Sequence, residues 1–412
     1  MNLKYLYILL TTCLCLCVQL PCHAFFEKDL HLLTMKNGLS DNTIQAICKD
    51  RNGFIWLSTR DALNRYDGKQ VKVFLFDNTG ANLSDLKEIS DGLLCFESRG
   101  YLHAFDLRGE RFIPVRTEDG KAVRAIATAP VNDSILWMMD NHELMLAQKT
   151  NRPQNDTIIF HILKRYEPGK QQGSILAKLS LTPDKRYLCV ADTYGRLMRA
   201  DTEQPDRFQT IDIGIGQPIS VNSLLYDEDG NIWITTLTYG LVRHNTRTGR
   251  TTRMTYHNKA TANQLSHTDV FEVVRLEKNR YLAATWNGYT LISLNKNNPD
   301  EMTGQVFNNT TFYVFRDIET RMIAAYYDPQ GILWIGTDGG GAIWTDLREQ
   351  FYNRYYQDRH NEICSMLGDD EGYLWLTTFH RGILRSRTPF HSDEPLDFAP
   401  AGTSEVQQGT RC

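Results

Sequence analysis

The sequence predicts an all-β fold assembled from repeated antiparallel units. A strand–turn–strand pattern recurs along the chain, its first turn often carries Asp-x-x-Gly, and its second strand carries one large anchor residue. The anchors recur at steps of about 38 to 52 residues, the period of a four-stranded propeller blade and too long for leucine-rich or ankyrin repeats. We therefore expect a seven-bladed β-propeller plus the opening blade of an incomplete second propeller. A single eight-bladed propeller is the alternative.

The clearest copy of the unit lies between Leu39 and Gly68. Ile44 to Lys49 alternates apolar and polar residues, as a half-buried strand does. The next four residues, Asp50 to Gly53, supply a tight turn. Phe54 to Thr59 is the predicted second strand, with Trp56 as its anchor. A further turn leads into the third strand.

The other copies are found by sliding this pattern along the chain. Close copies occupy residues 226–245, 327–344 and 368–385, and weaker copies occupy residues 91–106, 134–146, 184–201 and 279–294. The predicted anchors are Trp56, Leu94, Trp137, Cys189, Trp233, Leu282, Trp334 and Trp375. We expect the tryptophan anchors to be core residues packed between neighbouring blades rather than ligand contacts.

The pattern resembles the two-component regulator propeller repeat, found in periplasmic sensor regions of hybrid two-component systems (hybrid sensor histidine kinase/response regulator) of Bacteroides-type bacteria. The resemblance is strongest at residues 39–68, with Leu-Ser-x-Asn, Asp-x-x-Gly-x-x-Trp and Asp-x-Leu-Asn-Arg-Tyr-Asp. It implies a ligand-sensing module, with a carbohydrate or oligosaccharide as the expected ligand. Full sensors of this kind continue through a second propeller, an immunoglobulin-like domain, a membrane helix, a histidine kinase and a DNA-binding regulator. The sequence contains no motif of the kinase or regulator, so we expect a truncated sensor that is not an enzyme.

The first segment, Met1 to Ala24, is a predicted signal peptide. Lys4 gives a positive end, Tyr5 to Leu20 is apolar, and Cys22 and Ala24 occupy the positions that a signal peptidase reads. Cleavage before the next residue would export the chain to the periplasm. No later stretch is apolar enough to predict a membrane span.

The remaining chain divides into three parts. Residues 25–350 are the predicted seven-bladed propeller, residues 351–390 the first blade of an incomplete second propeller, and residues 391–412 an irregular tail. We expect His31 to Met35 to seal the first ring by adding a strand to its last blade. Phe351 to Tyr356 is the corresponding outer strand expected for the second propeller.

Charge and cysteine usage exclude several classes of protein. The chain carries 45 Lys and Arg against 49 Asp and Glu, a net charge of −4 that does not indicate a nucleic-acid partner. Five scattered cysteines follow the signal peptide and show neither a disulfide framework nor metal-ligand spacing. We expect Cys48, Cys95, Cys189 and Cys364 to be buried free thiols. No cofactor or metal is expected.

Two acidic turns and one glycine run have residues that occur in ion-binding or phosphate-binding loops. Residues 227–231 and 369–372 resemble calcium loops, but Thr236 and Thr378 stand where a calcium loop needs a carboxylate. We therefore predict hairpin turns. Asp338 to Gly341 precedes a further strand rather than a helix, so a turn at the propeller face is favoured over a phosphate site.

Strand direction predicts where a ligand would bind. In an antiparallel blade, the segment that enters the first strand and the turn between the second and third strands lie on the same face. This face would combine aromatic with hydrogen-bonding groups: Ser40, Asp41, Asn42, Arg60, Asp61, Thr193, Tyr194, Thr238, Tyr239, His267, Trp286, Asn287, Asp338 and Gly339. The candidate ligand-binding residues are Arg60, Asp61, Tyr239, Trp286, Asn287 and Asp338.

Two classes of function are compatible with these features. The first is a binding module for an oligosaccharide or another small ligand, with a second sensor chain in a homodimer as a further partner. The second is a secreted propeller enzyme similar to the streptogramin lyases. An enzyme would concentrate histidine and acidic residues on adjacent loops. Here these residues are spread along the sequence, which favours binding.

Overall fold

The structure is a computed structural model, and it describes most of the chain. The described residues are 30–76, 80–90, 92–150, 157–168, 175–215, 217–257, 263–298, 300–308, 321–347, 363–379, 381–389 and 398–401. The expected signal peptide and the expected outer strand Phe351 to Tyr356 lie outside them. Two compact units are present, one ending at Leu347 and the other beginning at Arg348.

The described part of the first unit contains 29 strands and one single-turn 3-10 helix, Met35–Asn37. The strands of its first half are β1 (His31–Leu33), β2 (Ala46–Lys49), β3 (Ile55–Ser58), β4 (Ala62–Tyr66), β5 (Val71–Leu75), β6 (Ser84–Ser90), β7 (Leu93–Ser98), β8 (Tyr101–Asp106), β9 (Arg111–Ile113), β10 (Val115–Thr117), β11 (Ala127–Pro130), β12 (Ile135–Met139), β13 (Leu144–Lys149) and β14 (Ile158–Tyr166).

The strands of its second half follow in chain order. They are β15 (Leu176–Leu181), β16 (Tyr187–Asp192), β17 (Leu197–Asp201), β18 (Gln209–Ile211), β19 (Ser220–Tyr226), β20 (Asn231–Leu237), β21 (Leu241–Asn245), β22 (Thr251–Met254), β23 (Val270–Glu277), β24 (Arg280–Thr285), β25 (Gly288–Leu294), β26 (Met302–Phe307), β27 (Met322–Tyr327), β28 (Ile332–Thr337) and β29 (Ala342–Asp346).

These strands form seven sheets in the described part of the unit, here numbered blades 1 to 7. Blades 1, 2, 4, 5 and 6 are β2–β5, β6–β9, β15–β18, β19–β22 and β23–β26, each in sequential order. Blade 3 is β11–β14 with β10 added parallel to β14, and blade 7 is β27–β29 with β1 added. The predicted all-β propeller is confirmed. Within the described residues no helix has the length and hydropathy needed to cross a membrane.

The first strand of each blade lies innermost, and these seven strands follow one another around the axis. β2 neighbours β6, then β11, β15, β19, β23 and β27 follow, and β27 neighbours β2 again. Hydrophobic side chains fill the space between successive blades in seven clusters among the described residues, one for each pair of neighbours. Each blade is therefore stabilised by apolar burial on both of its faces.

The chain start completes blade 7. His31, Leu32 and Leu33 of β1 pair with Trp344, Ile343 and Ala342 of β29 in antiparallel register. This strand closes the outer edge of the last blade, as expected from the apolar run at the start of the described chain. Its last residue, Leu33, joins the core between blades 7 and 1.

An aspartate organises the repeated turn between the first and second strands. In blade 1 the Asp50 carboxylate accepts hydrogen bonds from the backbone N–H groups of Asn52 and Phe54, at 2.9 and 3.0 Å. Its second oxygen accepts the indole N–H of Trp56 at 2.8 Å, although the Trp56 side chain is fully buried. The motif Asp-x-x-Gly-x-x-Trp therefore pairs a turn with the core residue that follows it, and it satisfies the buried indole N–H.

The same contact recurs in other copies of the motif. Asp227 accepts the Trp233 indole N–H at 3.3 Å, and Asp369 accepts that of Trp375 at 2.7 Å. Asp227 also accepts the phenol O–H of Tyr281, on blade 6, at 2.6 Å. Burial and the Asp227 charge raise the pKa of Tyr281, so the phenol stays protonated and ties the two blades together.

Blade 3 lacks this aspartate. Six residues before Trp137 the chain has Val131 instead of Asp, while the backbone turn is kept through the Val131 N–H to the Ile135 carbonyl, at 2.9 Å. The Trp137 indole N–H is buried, and it has no hydrogen-bond partner among the described residues. All eight predicted anchors nevertheless lie on the second strand of their sheet, so the apolar pattern alone places them correctly.

The eighth sheet belongs to the second unit. It contains β30 (Ile363–Gly368), β31 (Leu374–Thr378), β32 (Gly382–Ser386) and β33 (Phe398–Pro400), paired in sequential order. The expected irregular tail therefore differs at one point, because Phe398 to Pro400 forms the outer strand. Proline is compatible with such an edge position, where its missing N–H costs no ladder bond.

The cysteine prediction is confirmed at three positions and wrong at one. Cys48, Cys95 and Cys189 are buried free thiols, and burial raises the pKa of Cys189 to about 12. Cys364 is exposed because it lies on β30, all six residues of which are exposed. The acidic turns at Asp227 and Asp369 are hairpin turns, as predicted.

Replacing Trp56 by Phe should cost more stability than replacing Trp137 by Phe. Both indoles are buried, but only the Trp56→Phe variant leaves a buried carboxylate oxygen without its donor. We expect its loss in the free energy of unfolding to exceed that of Trp137→Phe by about 1–3 kcal/mol. Urea unfolding of both variants measures the difference. Equal losses would contradict the structural role given to Asp50.

Replacing Gly341 by Ala should cost more stability than replacing Gly339 by Ala. Both glycines have positive φ, at 89° and 106°. A methyl group at Gly341 would collide with the Leu33 carbonyl oxygen of β1, whereas the nearest atom at Gly339 is a terminal Arg321 nitrogen, 4.0 Å away. We expect an excess loss of about 1–3 kcal/mol for Gly341→Ala. Thermal unfolding of the two variants tests how strongly β1 seals the ring.

Candidate functional site

The entry face of the propeller is defined here by the segments that enter the first strands and by the turns between second and third strands. Backbone hydrogen bonds join these two sets of segments from blade to blade. The Asn82 N–H binds the Arg60 carbonyl at 2.8 Å, and the Gly240 N–H binds the Thr268 carbonyl at 3.0 Å. The sequence-based assignment of both sets to one face therefore agrees with the structure.

Trp286 is the most prominent aromatic residue of this face. It occupies the turn between β24 and β25, and its side chain is 40% exposed. Its backbone N–H binds the Asp269 carbonyl at 3.0 Å, which holds the turn against the segment that enters blade 6. Its indole stacks on Phe271, with ring centroids 5.8 Å apart and planes inclined by 29°. The ring is thus supported from one side while much of it faces solvent.

Arg321 connects Trp286 to blade 7. Its guanidinium carbon lies 5.4 Å from the Trp286 ring centroid, and its Nη1 atom lies 3.0 Å from a carboxylate oxygen of Asp338. The Arg321 carbonyl also accepts the Asp338 backbone N–H at 2.8 Å. We call Phe271, Trp286, Arg321 and Asp338 the Trp286 cluster. It presents an aromatic face, a cation and a carboxylate side by side.

Asn287 and the next blade frame this cluster. Asn287 follows Trp286 in the same turn, and its N–H binds the Thr285 hydroxyl at 3.2 Å. On the other side, Asp338 forms an isolated β-bridge with Thr43 of the segment that enters blade 1. Three of the six predicted residues, Trp286, Asn287 and Asp338, are therefore brought together on blades 6 and 7.

Tyr239 is on the same face but contacts Arg253 instead of the Trp286 cluster. The Arg253 guanidinium carbon lies 3.6 Å from its ring centroid, and Arg253 Nε donates to its carbonyl oxygen at 2.8 Å. The Tyr239 ring also packs partly against the core between blades 4 and 5. Its neighbour Thr238 donates its N–H to the Asp269 carboxylate at 2.7 Å, which links the blade 5 turn to blade 6.

Arg60 and Asp61 lie on blade 1 and face blade 2. The Asp61 carboxylate accepts the Gly80 N–H at 2.7 Å, and the Asp61 carbonyl accepts the Phe76 N–H at 2.8 Å. Arg60 is exposed, and its described contact is the backbone bond to Asn82. Among the described residues, no contact joins this pair to the Trp286 cluster, so the predicted site residues form separate groups along the face.

Arg321 and Phe271 were missed by sequence reasoning. Arg321 immediately precedes β27, and Asp269 stands at the same place before β23. The position directly before the first strand of a blade is thus the sequence signal that could indicate such a residue. The entering chain turns at this position beside the preceding blade. Only the fold shows that this position on blade 7 reaches the Trp286 ring.

The described residues contain no group of three or more His, Cys, Asp or Glu side chains that could hold a metal ion. His267 illustrates the usual role of a histidine here. Its Nδ1 accepts the Asp269 backbone N–H at 3.0 Å, and its ring stacks on Tyr256 with centroids 6.3 Å apart. These contacts shape the entering segment of blade 6.

Comparison with known proteins identifies the repeat. Residues 38–61 and 215–238 match the family model for the two-component regulator propeller, so the chain carries repeats of this family. Each matched segment covers the first two strands of a blade and the Asp-x-x-Gly-x-x-Trp turn between them. No curated protein matches the chain.

Solved structures share the fold. The extracellular domain of BT3049 from Bacteroides thetaiotaomicron, described as a hybrid two-component system, has 19% identity and a TM-score of 0.57, and the match covers 86% of this chain and 47% of that domain. The extracellular domain of BT4673 from the same bacterium has 17% identity and a TM-score of 0.54, with coverage of 92% and 48%. The chain thus spans about half the length of both domains.

A propeller enzyme is also similar in fold. Streptogramin B lyase has 12% identity and a TM-score of 0.55, and the match covers 78% of this chain and 99% of the lyase. At this level of identity the likeness concerns the fold, because one propeller architecture hosts many unrelated activities.

Trp286 should be the first tryptophan of the described residues to react with N-bromosuccinimide. The other described tryptophans are buried or half-buried, and Trp286 alone among them is exposed. We expect one fast oxidation step that disappears in Trp286→Phe. Trp56→Phe serves as the matched control and should keep the fast step. A fast step of unchanged size in Trp286→Phe would place the reactive indole elsewhere.

Proposed function

We propose that this chain is the periplasmic ligand-sensing region of a two-component signalling protein, that it recognises an oligosaccharide, and that it is not itself an enzyme. The observation that carries the proposal is the Trp286 cluster. A half-exposed indole can stack on the apolar face of a sugar ring, while the adjacent carboxylate of Asp338 and amide of Asn287 can bind its hydroxyl groups. The family of the repeat supports a role in sensing.

The energetics favour a preformed site. Phe271 supports the indole from below, and Arg321 is held by the carboxylate of Asp338, so the side chains lose little freedom when a ligand binds. An unsupported surface tryptophan would have to be ordered on binding, which costs about 0.5–1.5 kcal/mol per side chain. Binding on this face would also leave the core contacts between blades unchanged.

The enzyme alternative, a secreted lyase similar to streptogramin B lyase, has less support. Catalysis of proton transfer needs a base within hydrogen-bond reach of the reacting group. In the Trp286 cluster the one carboxylate, Asp338, is paired with Arg321. His267, on the segment that enters blade 6, accepts a backbone N–H. This arrangement suits recognition better than acid–base chemistry.

We also propose that residues 25–350 form one seven-bladed propeller and that the eighth sheet opens a second propeller. The direct contact of β27 with β2 supports seven blades, since an eighth blade in the same ring would separate these strands. Along β30 every residue is exposed, including Met366 and Leu367. A following blade, or a second sensor chain in a homodimer, would bury this apolar strand.

Replacing Trp286 by Ala should weaken glycan binding about tenfold or more, because the loss of one aromatic stacking contact is worth about 1.4 kcal/mol. A glycan array identifies a ligand, and calorimetry then compares the variants. Arg321→Gln should also weaken binding, since it releases Asp338 and removes the cation beside the indole. Arg60→Ala tests whether the site extends to blade 1.

The matched control is Tyr101→Ala, which removes another exposed aromatic residue from blade 2. It should leave the affinity unchanged. Equal affinities of the wild type and Trp286→Ala would move the site away from this cluster, and the absence of binding to any glycan would contradict the oligosaccharide proposal. Turnover of a streptogramin by the purified protein would establish the enzyme alternative.

A further inference from the structure

The link between blades 2 and 3 leaves a cavity at the outer edge of blade 3. β10 pairs in parallel with β14 as far as Thr117, which lies opposite Phe160. The chain then turns back, and the Thr117 N–H donates to the Lys121 carbonyl oxygen at 2.8 Å, whereas β14 continues to Tyr166. A cavity of about 350 Å³ lies between this turn, β13, β14 and the turn that joins β12 to β13. We call it the blade 3 cavity.

The floor of the blade 3 cavity is apolar. Val123, Met145 and Phe160 line it and are buried members of the core between blades 2 and 3. Ile162 also lines the cavity and packs against the same core from a half-buried position. The core is therefore accessible at this point. Small-molecule sites combine such a floor with a volume of about 300–1,000 Å³, and the blade 3 cavity falls within that range.

Charged side chains surround the floor, and most of them have a partner. The pairs are Glu143 with Arg165, Asp119 with Lys121, and Glu118 with the ring of His161. Arg165 Nη1 also lies 3.6 Å from the Met145 sulfur, which holds the guanidinium group beside the floor. A ligand is therefore not needed to compensate these side chains.

Arg124 is a charged residue of the rim that has no such partner. Its backbone is held against blade 2, because Arg124 forms an isolated β-bridge with Tyr101 and the next N–H, of Ala125, donates to the Gly100 carbonyl at 3.1 Å. Its side chain is exposed, and within the described part of the chain no acceptor contacts its guanidinium group. A guanidinium group with free N–H donors can bind both oxygens of a carboxylate.

Asp140 supplies the opposite charge. One of its carboxylate oxygens accepts the backbone N–H groups of His142 and Glu143, at 2.8 and 2.9 Å, which fixes the side chain in the turn between β12 and β13. The Asn141 carbonyl of this turn accepts the Leu176 N–H at 2.9 Å, so the turn is also held by the segment that enters blade 4. No cation pairs with the Asp140 carboxylate in the described residues.

These features together limit the class of ligand. Arg124 and Asp140 line the same cavity but do not form an ion pair with each other. An inorganic ion would compensate only one of the two charges, and a neutral sugar would compensate neither. A ligand that carries a carboxylate, an ammonium group and an apolar side chain is complementary to the guanidinium group, the carboxylate and the floor at once.

We propose that the blade 3 cavity binds a free α-amino acid with an apolar side chain. The carboxylate of the amino acid accepts hydrogen bonds from Arg124, and its ammonium group donates to Asp140. Its side chain covers Met145 and Ile162, where apolar surface is removed from water. The cavity shares no residue with the Trp286 cluster, so this site is independent of the proposed oligosaccharide site.

Calorimetric titration of the purified full chain tests the ligand class. The probes are L-leucine and L-phenylalanine, and the two matched analogues of leucine are isocaproate, which lacks the ammonium group, and isoamylamine, which lacks the carboxylate. We expect saturable binding of at least one of the two amino acids at one site. Each analogue should bind about tenfold or more weakly than leucine, because each loses one charged hydrogen bond.

Variants test the position of the site. Arg124→Gln and Asp140→Asn should each weaken amino-acid binding about tenfold or more, since each removes one charge from the rim. Asp140→Asn keeps a carbonyl oxygen for the turn, so the fold should be retained. The matched control is Arg116→Gln, at an exposed position of β10 outside the cavity lining, and it should bind as the wild type does.

Three results would overturn the proposal. They are the absence of saturable binding of both amino acids, affinities of the analogues equal to that of the amino acid, and an unchanged affinity in Arg124→Gln or in Asp140→Asn. Trp286→Ala should leave amino-acid binding unchanged, which separates this site from the oligosaccharide site. An amino-acid affinity that falls with Trp286→Ala and not with Arg124→Gln would place the bound amino acid at the Trp286 cluster instead.

Discussion

The structure depends on a carboxylate placed at the start of a tight turn. In the repeats that carry the full motif, one side chain binds the backbone N–H groups of the turn and the indole N–H of the following strand, as Asp50 does with Trp56. Turn and core are thereby coupled. A shift of the turn would break this hydrogen bond and leave both the buried indole N–H and the buried carboxylate without a partner. The first two strands of each such blade become a unit with one register.

This unit determines which loops can carry function. Since the Asp-x-x-Gly turns are engaged in internal hydrogen bonds, the face on which they lie is largely occupied by its own backbone. The opposite face consists of entering segments and second turns, where Trp286 and Arg321 keep side-chain surface available. The proposed recognition of a ligand is therefore placed on the entry face.

Closure of the ring depends on the start of the described chain. The strand β1 and the close approach at Gly341 join the start of the described chain to blade 7, so the seven innermost strands surround one axis. Each innermost strand then contacts the innermost strands of the two neighbouring blades, including the pair β27 and β2.

The sequence by itself determined the class of fold, the second-strand position of all eight anchors, and the strand that completes blade 7. These features follow from local chemistry. One hairpin contains the apolar alternation, the turn residues and the six-residue spacing that joins Asp50 to Trp56. The entry face could also be inferred, because strand direction alone assigns each turn to a face. The exposure of Cys364 could not be inferred, because it depends on what packs against the eighth sheet. The strand at Phe398 could not be inferred either, because it depends on which segment pairs with the edge of that sheet.

Only the tertiary structure decided which residues of that face meet. Trp286 and Asp338 are 52 positions apart in the sequence, and Arg321 joins them because blades 6 and 7 are neighbours whose turns converge. Arg60 and Tyr239 have equally suitable side chains but contact other partners. Local sequence patterns carry no information about which turns of neighbouring blades meet.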